Sequence, residues 1–266
     1  MDIPAPAVND ELLQRSDSGG IATLTLNRPQ QFNALSMAML DAMQAALDTI
    51  AADATVRVLV IAANGKVFCP GHDLKEMLAN RTRPFVQSLF DRCCNVMMSI
   101  SRMPQIVIAR VHGIATAAGC QLVGACDLAV AAADARFATS GVNFGLFCAT
   151  PGVAISRNIS RKRAMEMLMT GDFIDAPTAL QWGLVNRVVP LDRLDDAVSE
   201  LAAHLLAKPP AVLAAGKKFF YSQLDTDMAS AYKLASGVIT DNMLGDDALE
   251  GVTAFVEKRK PQWRGQ

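Results

Sequence analysis

Apolar runs separated by small-residue breaks set the rhythm of this chain. Ile21-Ala22-Thr23-Leu24-Thr25-Leu26-Asn27 alternates apolar and polar positions and stops at Arg28-Pro29, which predicts a strand. Ser36 stands where an N-cap belongs, ahead of Met39, Leu40, Met43, Ala46, Leu47 and Ile50 at helical spacing. Val56 to Ile61 is nearly all apolar and rich in β-branched residues, the pattern of a strand buried on both faces. Strand, helix and strand in that order predict a right-handed crossover and a parallel pairing. The turn from Ala62 to Lys66 leads to a segment broken at Pro70-Gly71 and helical from Leu74, with Asp73 as its cap. Pro84 to Met103 reads as a helix of mixed polarity, stopped by Pro104.

A second unit repeats the theme. The apolar run Ile106 to Val111 breaks at His112-Gly113 and gives way to small residues from Ala115 to Gly119. A short apolar helix ending near Ala125 and a strand from Asp127 to Ala132 follow. From Thr150-Pro151 onward the pattern is mostly helical. Ala164 to Met169 is closed by Gly171, Ala176 to Trp182 by Gly183, and Leu184 to Val189 is a last short strand. After Pro190 only helices are predicted, over Leu194–Ala207, Ala211–Leu224, Met228–Leu244 and Ala248–Lys258. The expected organisation is an α/β core over residues 1–190 and a helical region over 191–266 that packs on a partner subunit.

Composition narrows the function classes. Of 266 residues 51% are apolar and 19% charged, so a sizeable core is available and disorder is not expected. The net charge of −1 supplies no basic field for nucleic acid. The six cysteines (69, 93, 94, 120, 126 and 148) show neither metal-ligand spacing nor a secreted disulfide pattern, so no metal is expected. No apolar run reaches spanning length, and Met1 to Gln14 has no apolar signal core. A reduced compartment, cytoplasm or organelle matrix, is the expectation.

The candidate chemistry lies in the two side-chain-poor turns, Cys69–Asp73 and Ala115–Gly119. Both follow adjacent parallel strands at their C-terminal ends, where ligands of open α/β sheets bind. A strand feeding such a turn and then a helix leaves main-chain N–H groups unpaired at the helix start. These can hold negative charge developing on a bound oxygen. Close helix–strand packing would call for the same small residues.

Several motifs taken together resemble the crotonase (enoyl-CoA hydratase/isomerase) family. They are Leu26-Asn27-Arg28-Pro29 with Asn33-Ala34-Leu35, Gly71-His72-Asp73-Leu74-Lys75-Glu76-Met77, and the turn Ala115–Gly119. Further matches are Ala164–Gly171, Trp182-Gly183-Leu184-Val185 and the tail Glu250–Lys260. The closest pattern is the subgroup of enoyl-CoA hydratase domain-containing proteins, which shares the strings Ala-Thr-Ala-Ala-Gly-Cys-Gln-Leu and Gly-Leu-Phe-Cys-x-Thr-Pro-Gly-Val-Ala.

The resemblance implies a spiral of ββα units with C-terminal helices that build trimers or hexamers. It implies an acyl-CoA thioester as ligand, with no separate cofactor because coenzyme A is part of the substrate. By position the main-chain N–H groups of His72 and Ala118 would form an oxyanion hole. Ala118 stands where glycine is usual, an exchange that is strained only if its φ is positive. Substrate-binding positions would be Asp73, Leu74, Lys75, Phe255 and Lys258, the last supplied by a neighbouring subunit. Gln30 stands where many relatives carry lysine.

The family's two catalytic glutamates fall on Gln121 and Gly141, and a third acidic position falls on Ala149. None of the three can ionise. Loss of a proton-transfer group costs about 10²–10⁴ in rate, so efficient hydration is not expected. The residues support enolate stabilisation, and alternatives are a decarboxylase, since Gly-His-Asp also occurs in decarboxylases of the family, or a non-catalytic acyl-CoA binder. Glutamates restored at 121 and 141 are expected to confer some hydration. His112, Cys120 and Cys126 read as structural, Thr150 as a cap for the helix entered at Pro151, and Cys148 as a neighbour of the acyl chain.

Overall fold

The computed structural model describes residues 12–263. Most of the stretch without a signal core, Met1–Glu11, and residues 264–266 lie outside the described residues. A hairpin of β1 (Leu13–Ser18) and β2 (Ile21–Leu26) leads through α1 (Met37–Ala51) to β3 (Val58–Ala63). Then come α2 (Leu74–Ala79), α3 (Arg83–Arg102), β4 (Ile106–Val111), β5 (Ile114–Thr116), α4 (Ala118–Ala125), β6 (Leu128–Ala132) and β7 (Arg136–Ala138). After α5 (Ala149–Asn158) and α6 (Arg161–Thr170) come β8 (Ile174–Asp175), α7 (Ala176–Trp182) and β9 (Arg187–Val189). The chain closes on α8 (Leu194–Leu206), α9 (Pro210–Gln223), α10 (Met228–Leu244) and α11 (Asp246–Val256).

Six strands form the main sheet in the order β1-β2-β3-β4-β6-β9, parallel except for the β1–β2 hairpin. Every residue of β3 is buried, and its side chains divide between two cores. Leu59 and Ile61 meet Leu40, Met43, Leu47 and Ile50 of α1, while Val58 and Val60 meet Leu194, Ala197 and Val198 of α8. The continuous apolar run thus reflects a strand covered on both faces. Ser36 caps α1 as expected, its hydroxyl accepting from the Met39 N–H at 3.3 Å.

Three short strands, β5, β7 and β8, pair in a second sheet that the apolar pattern did not predict. The turn read over Ala115–Gly119 is therefore strand as far as Thr116. The hairpin strand β1 was also missed: five of its six positions are polar, and only Leu13 is fully buried.

Within the tail, α8 packs on the sheet and α9 is fastened to it by a buried ion pair. The Lys217 ammonium donates to Asp127 Oδ2 at 2.6 Å and to the carbonyls of Ile100 and Gln105 at 2.7 and 2.8 Å. Asp127 also accepts from the Val107 N–H at 2.7 Å and the Tyr221 hydroxyl at 2.8 Å. Burial pushes the Asp127 carboxyl up and the Lys217 amine down despite their attraction, so desolvation outweighs it. Beyond α9 the character changes: Tyr232, Ile239, Leu244, Phe255 and Val256 stand exposed on α10 and α11. Among the described residues no helix is long and apolar enough to cross a membrane.

Removing one partner of a buried pair strands the other charge. Lys217→Met is expected to lower unfolding free energy by about 3–5 kcal/mol in urea titration, and Asp127→Leu in the same chain to restore part of the loss.

Candidate active site

The first turn is held by a frame that begins at the end of β2. Asn33 is fully buried in the left-handed region (φ 64°), a conformation asparagine tolerates. Its amide donates to the carbonyls of Asn64 and Val67, each at 2.8 Å, and accepts from the Arg28 N–H at 2.9 Å. The Arg28 guanidinium donates to Ser36 Oγ at 2.8 Å and reaches Asp73 at 3.5 Å. Leu35 is thereby laid beside His72 as a parallel bridge. The bridge uses the Gly71 carbonyl and the Asp73 N–H, at 2.8 and 3.3 Å, and turns the His72 N–H away. The Asp73 carboxylate caps α2, accepting from Lys75 and Glu76 N–H groups at 3.1 and 3.2 Å.

The second turn crosses directly over the first. Cys69 and Ala115 pair as a parallel bridge, the Cys69 N–H bonding Ile114 at 3.1 Å and its carbonyl accepting from Thr116 at 3.0 Å. At Gly119 a Cβ would lie 2.0 Å from the Cys69 carbonyl oxygen, so only glycine lets α4 approach. At Gly71 (φ +102°) a Cβ would lie 3.1 Å from the Ala118 nitrogen. The positive φ in this turn belongs to Ala117 (φ 50°, ψ −121°), while Ala118 is helical, so the glycine-to-alanine exchange at 118 carries no strain. No side chain caps α4. Among the described residues, neither the His72 nor the Ala118 N–H donates to a hydrogen-bond acceptor.

Both residues line a cavity of about 550 Å³. Its walls are mainly apolar and include Phe32, Met77, Phe90, Phe144, Leu146 and Phe147. Such an opening, with paired N–H donors at the start of a helix, can hold an anionic oxygen beside an apolar group. The His72 ring stacks edge-on to Phe90 at 5.1 Å, and its Nδ1 lies 3.3 Å from the Leu35 carbonyl. A carbonyl only accepts, so Nδ1 carries the proton and the buried Nε2, which has no partner, is a bare lone pair. Burial holds this imidazole below its ordinary 6.5.

Of the residues singled out from sequence, His72, Asp73, Leu74, Lys75, Ala118, Gly141, Cys148, Ala149 and Thr150 share this cavity. Gln121 does not line it; its buried side chain accepts from the Cys93 thiol at 4.0 Å. Phe255 and Lys258 lie at the end of α11, away from the cavity walls of the single chain, with Phe255 84% exposed. His112 is structural, its Nε2 donating to the Gly65 carbonyl at 2.8 Å, and Cys120 and Cys126 are buried.

Two expectations are corrected. Thr150 caps nothing: α5 already begins at Ala149, with Cys148 at the N-cap position. At Gly141 there is no vacant place for a glutamate, because a Cβ would lie 2.5 Å from the Leu146 carbonyl oxygen and 2.8 Å from Cys148 Sγ. Cys148 was missed as the occupant of that place; its sulfur accepts from the Gly141 N–H at 3.3 Å. The seven-residue separation carries no periodicity that would reveal the contact. Nor did the sequence show what Arg28 and Asn33 do, although both stood in its motifs.

Comparison with known proteins agrees with this architecture. A family model for enoyl-CoA hydratase/isomerase matches residues 16–266. The chain is 46% identical over 244 residues to mitochondrial enoyl-CoA hydratase domain-containing protein 3 of Xenopus laevis, covering 92% of this chain and 83% of that protein. A solved enoyl-CoA hydratase from Mycobacterium smegmatis is 57% identical with a TM-score of 0.93, covering 95% of this chain and 98% of that one. The human enoyl-CoA hydratase domain-containing protein 3 structure is 44% identical with a TM-score of 0.92, covering 95% of this chain and all of that one. The crotonase-like fold expected from the motifs is the fold of the chain.

Gly119→Ala is expected to lower the unfolding free energy by about 3 kcal/mol or more, read as a fall in Tm, because main chain rather than a rotamer must move. Because the His72 pKa is depressed in the folded state, the unfolded chain takes up that proton first as pH falls. Stability is therefore expected to fall as pH drops below about 6.5, the ordinary value for His72, and the His72→Gln variant to lose that part of the slope in denaturant melts at several pH values.

Proposed function

We propose a reaction from one premise: the chain belongs to the enoyl-CoA hydratase/isomerase family. An acyl-CoA thioester enters the cavity with its carbonyl oxygen between the His72 and Ala118 N–H groups. Charge that develops there as the thioester becomes an enolate is met by two fixed donors and by the positive end of α4. Each donor is worth about 3–4 kcal/mol in the transition state. The observation that carries this reading is the pair of N–H groups, one from each turn, left without acceptors beside an apolar cavity.

Water addition asks more of the site. One carboxyl must deprotonate the water and another must deliver a proton to carbon. Among the described residues Asp73 is the one carboxylate on the cavity wall, and it is engaged as the cap of α2 and by Arg28. Efficient hydration is therefore outside the proposed activity. Loss of carbon dioxide from a malonyl-type thioester fits the same site, since the breaking C–C bond delivers its electrons to the carbonyl and no base is needed. Lys75 at the rim suits the coenzyme's phosphates. A neighbouring subunit would bring Phe255 and Lys258, and the exposed apolar faces of α10 and α11 support a trimer or a pair of trimers. The six unpaired thiols fit a reducing compartment, cytoplasm or organelle matrix.

With crotonyl-CoA the expected outcome is thioester binding by calorimetry, with loss of enoyl absorbance at least a hundredfold slower than for a relative carrying both glutamates. Turnover within that factor would return the chain to the hydratases. Carbon dioxide release from malonyl-CoA or methylmalonyl-CoA is expected, and binding without release from any malonyl-type thioester would leave a pure binder. Light scattering is expected to give three or six times the 28.4 kDa chain mass, whereas a monomer would remove the neighbour's part in the site.

A further inference from the structure

We propose that Cys148 is the proton-transfer group of this site, its thiol delivering the hydrogen that the α-carbon of the enolate takes up. The inference rests on the thioester reading above and adds the acid that reading lacks. Cys148 Sγ lies 2.8 Å from where the first side-chain atom of residue 141 would be. Cys148, Gly141, His72 and Ala118 all line the one cavity, so the thiol stands in the same chamber as the paired N–H donors.

The other polar groups of that wall do not serve. The Nδ1–H of His72 faces the Leu35 carbonyl, and its Nε2 is buried without a partner and carries no proton. Asp73 is engaged as the cap of α2 and as the ion-pair partner of Arg28. Ser140 Oγ is spent on Thr116 Oγ1 at 2.8 Å, and it and Thr150, also on the wall, are alcohols, far weaker acids than a thiol. Lys75, in the first turn of α2, is exposed at the rim of the cavity, where the proposed reading gives it the coenzyme's phosphates. Burial raises the Cys148 thiol and keeps it protonated near neutrality, while the Gly141 N–H at 3.3 Å favours the thiolate left after transfer.

The step balances within the site. The S–H bond breaks, the enolate's C=C pair forms the new C–H bond, the oxyanion returns to a carbonyl, and water restores the proton to sulfur. Run backwards on a saturated thioester, the thiolate removes an α-proton and solvent replaces it.

That reverse step gives the test. Propionyl-CoA in D2O, followed by mass spectrometry, offers neither a double bond to hydrate nor a carboxylate to lose. The wild-type chain is expected to exchange α-hydrogen, with a rate rising about tenfold per pH unit from pH 7 to 8.5 as thiolate forms. Cys148→Ala and Cys148→Ser are expected to lose at least tenfold in rate while binding propionyl-CoA as the wild type does. Exchange at the wild-type rate in both variants, or a wild type that binds without exchanging, would overturn the assignment. Failure of the wild type to bind any acyl-CoA removes the thioester reading, and the assignment with it.

Discussion

The contact between Gly119 and the Cys69 carbonyl is the constraint on which the rest of the site depends. Two turns far apart in sequence cross without a side chain between them, and each contributes one N–H to the same cavity. A single carbon atom at Gly119 would lie 2.0 Å from the carbonyl oxygen, far inside van der Waals contact. The separation of the two donors is therefore set by main chain on main chain, which has none of the rotamer freedom of a side-chain contact. That is the kind of rigidity electrostatic stabilisation needs, since donors that had to reorient would give back what they contribute.

What supports this crossing is polar and largely buried. Arg28, Asn33, Ser36 and Asp73 form a connected set of hydrogen bonds that fixes Leu35 beside His72. Every member has a partner, so the set specifies one arrangement without leaving a charge stranded. The left-handed backbone at Phe32, Asn33 and Ala117 shows where the chain bends against its own preference, on both sides of the crossing.

The sheet and helices were legible because their signals are local: β-branched runs for β3 and β4, and apolar residues at helical spacing for α1. The small sheet β5-β7-β8 was not, because its strands are two or three residues long and take their partners from afar. Both donor-bearing turns were visible as gaps in side-chain volume. The absence of carboxylates at 121, 141 and 149 was legible from residue identity. That Leu146 and Cys148 fill the space beside Gly141 was not, since proximity across a folded-back loop leaves no mark on periodicity. Gln121 lies one turn along α4 from Ala118, yet its side chain is turned to Cys93 instead of the cavity.

The anchoring of α9 gives the C-terminal helices a fixed base. To lift α9 the molecule would have to draw a charged ammonium out of a cage of carbonyls and carboxylate, so α9 moves with the sheet or not at all. The chain then runs through Leu224 to Asp227 into α10, which packs back on α9. Beyond it the tail returns to the fold, the Trp263 indole donating to the Ala207 carbonyl at 2.8 Å, so what α10 and α11 lack is not a position but cover for their exposed apolar side.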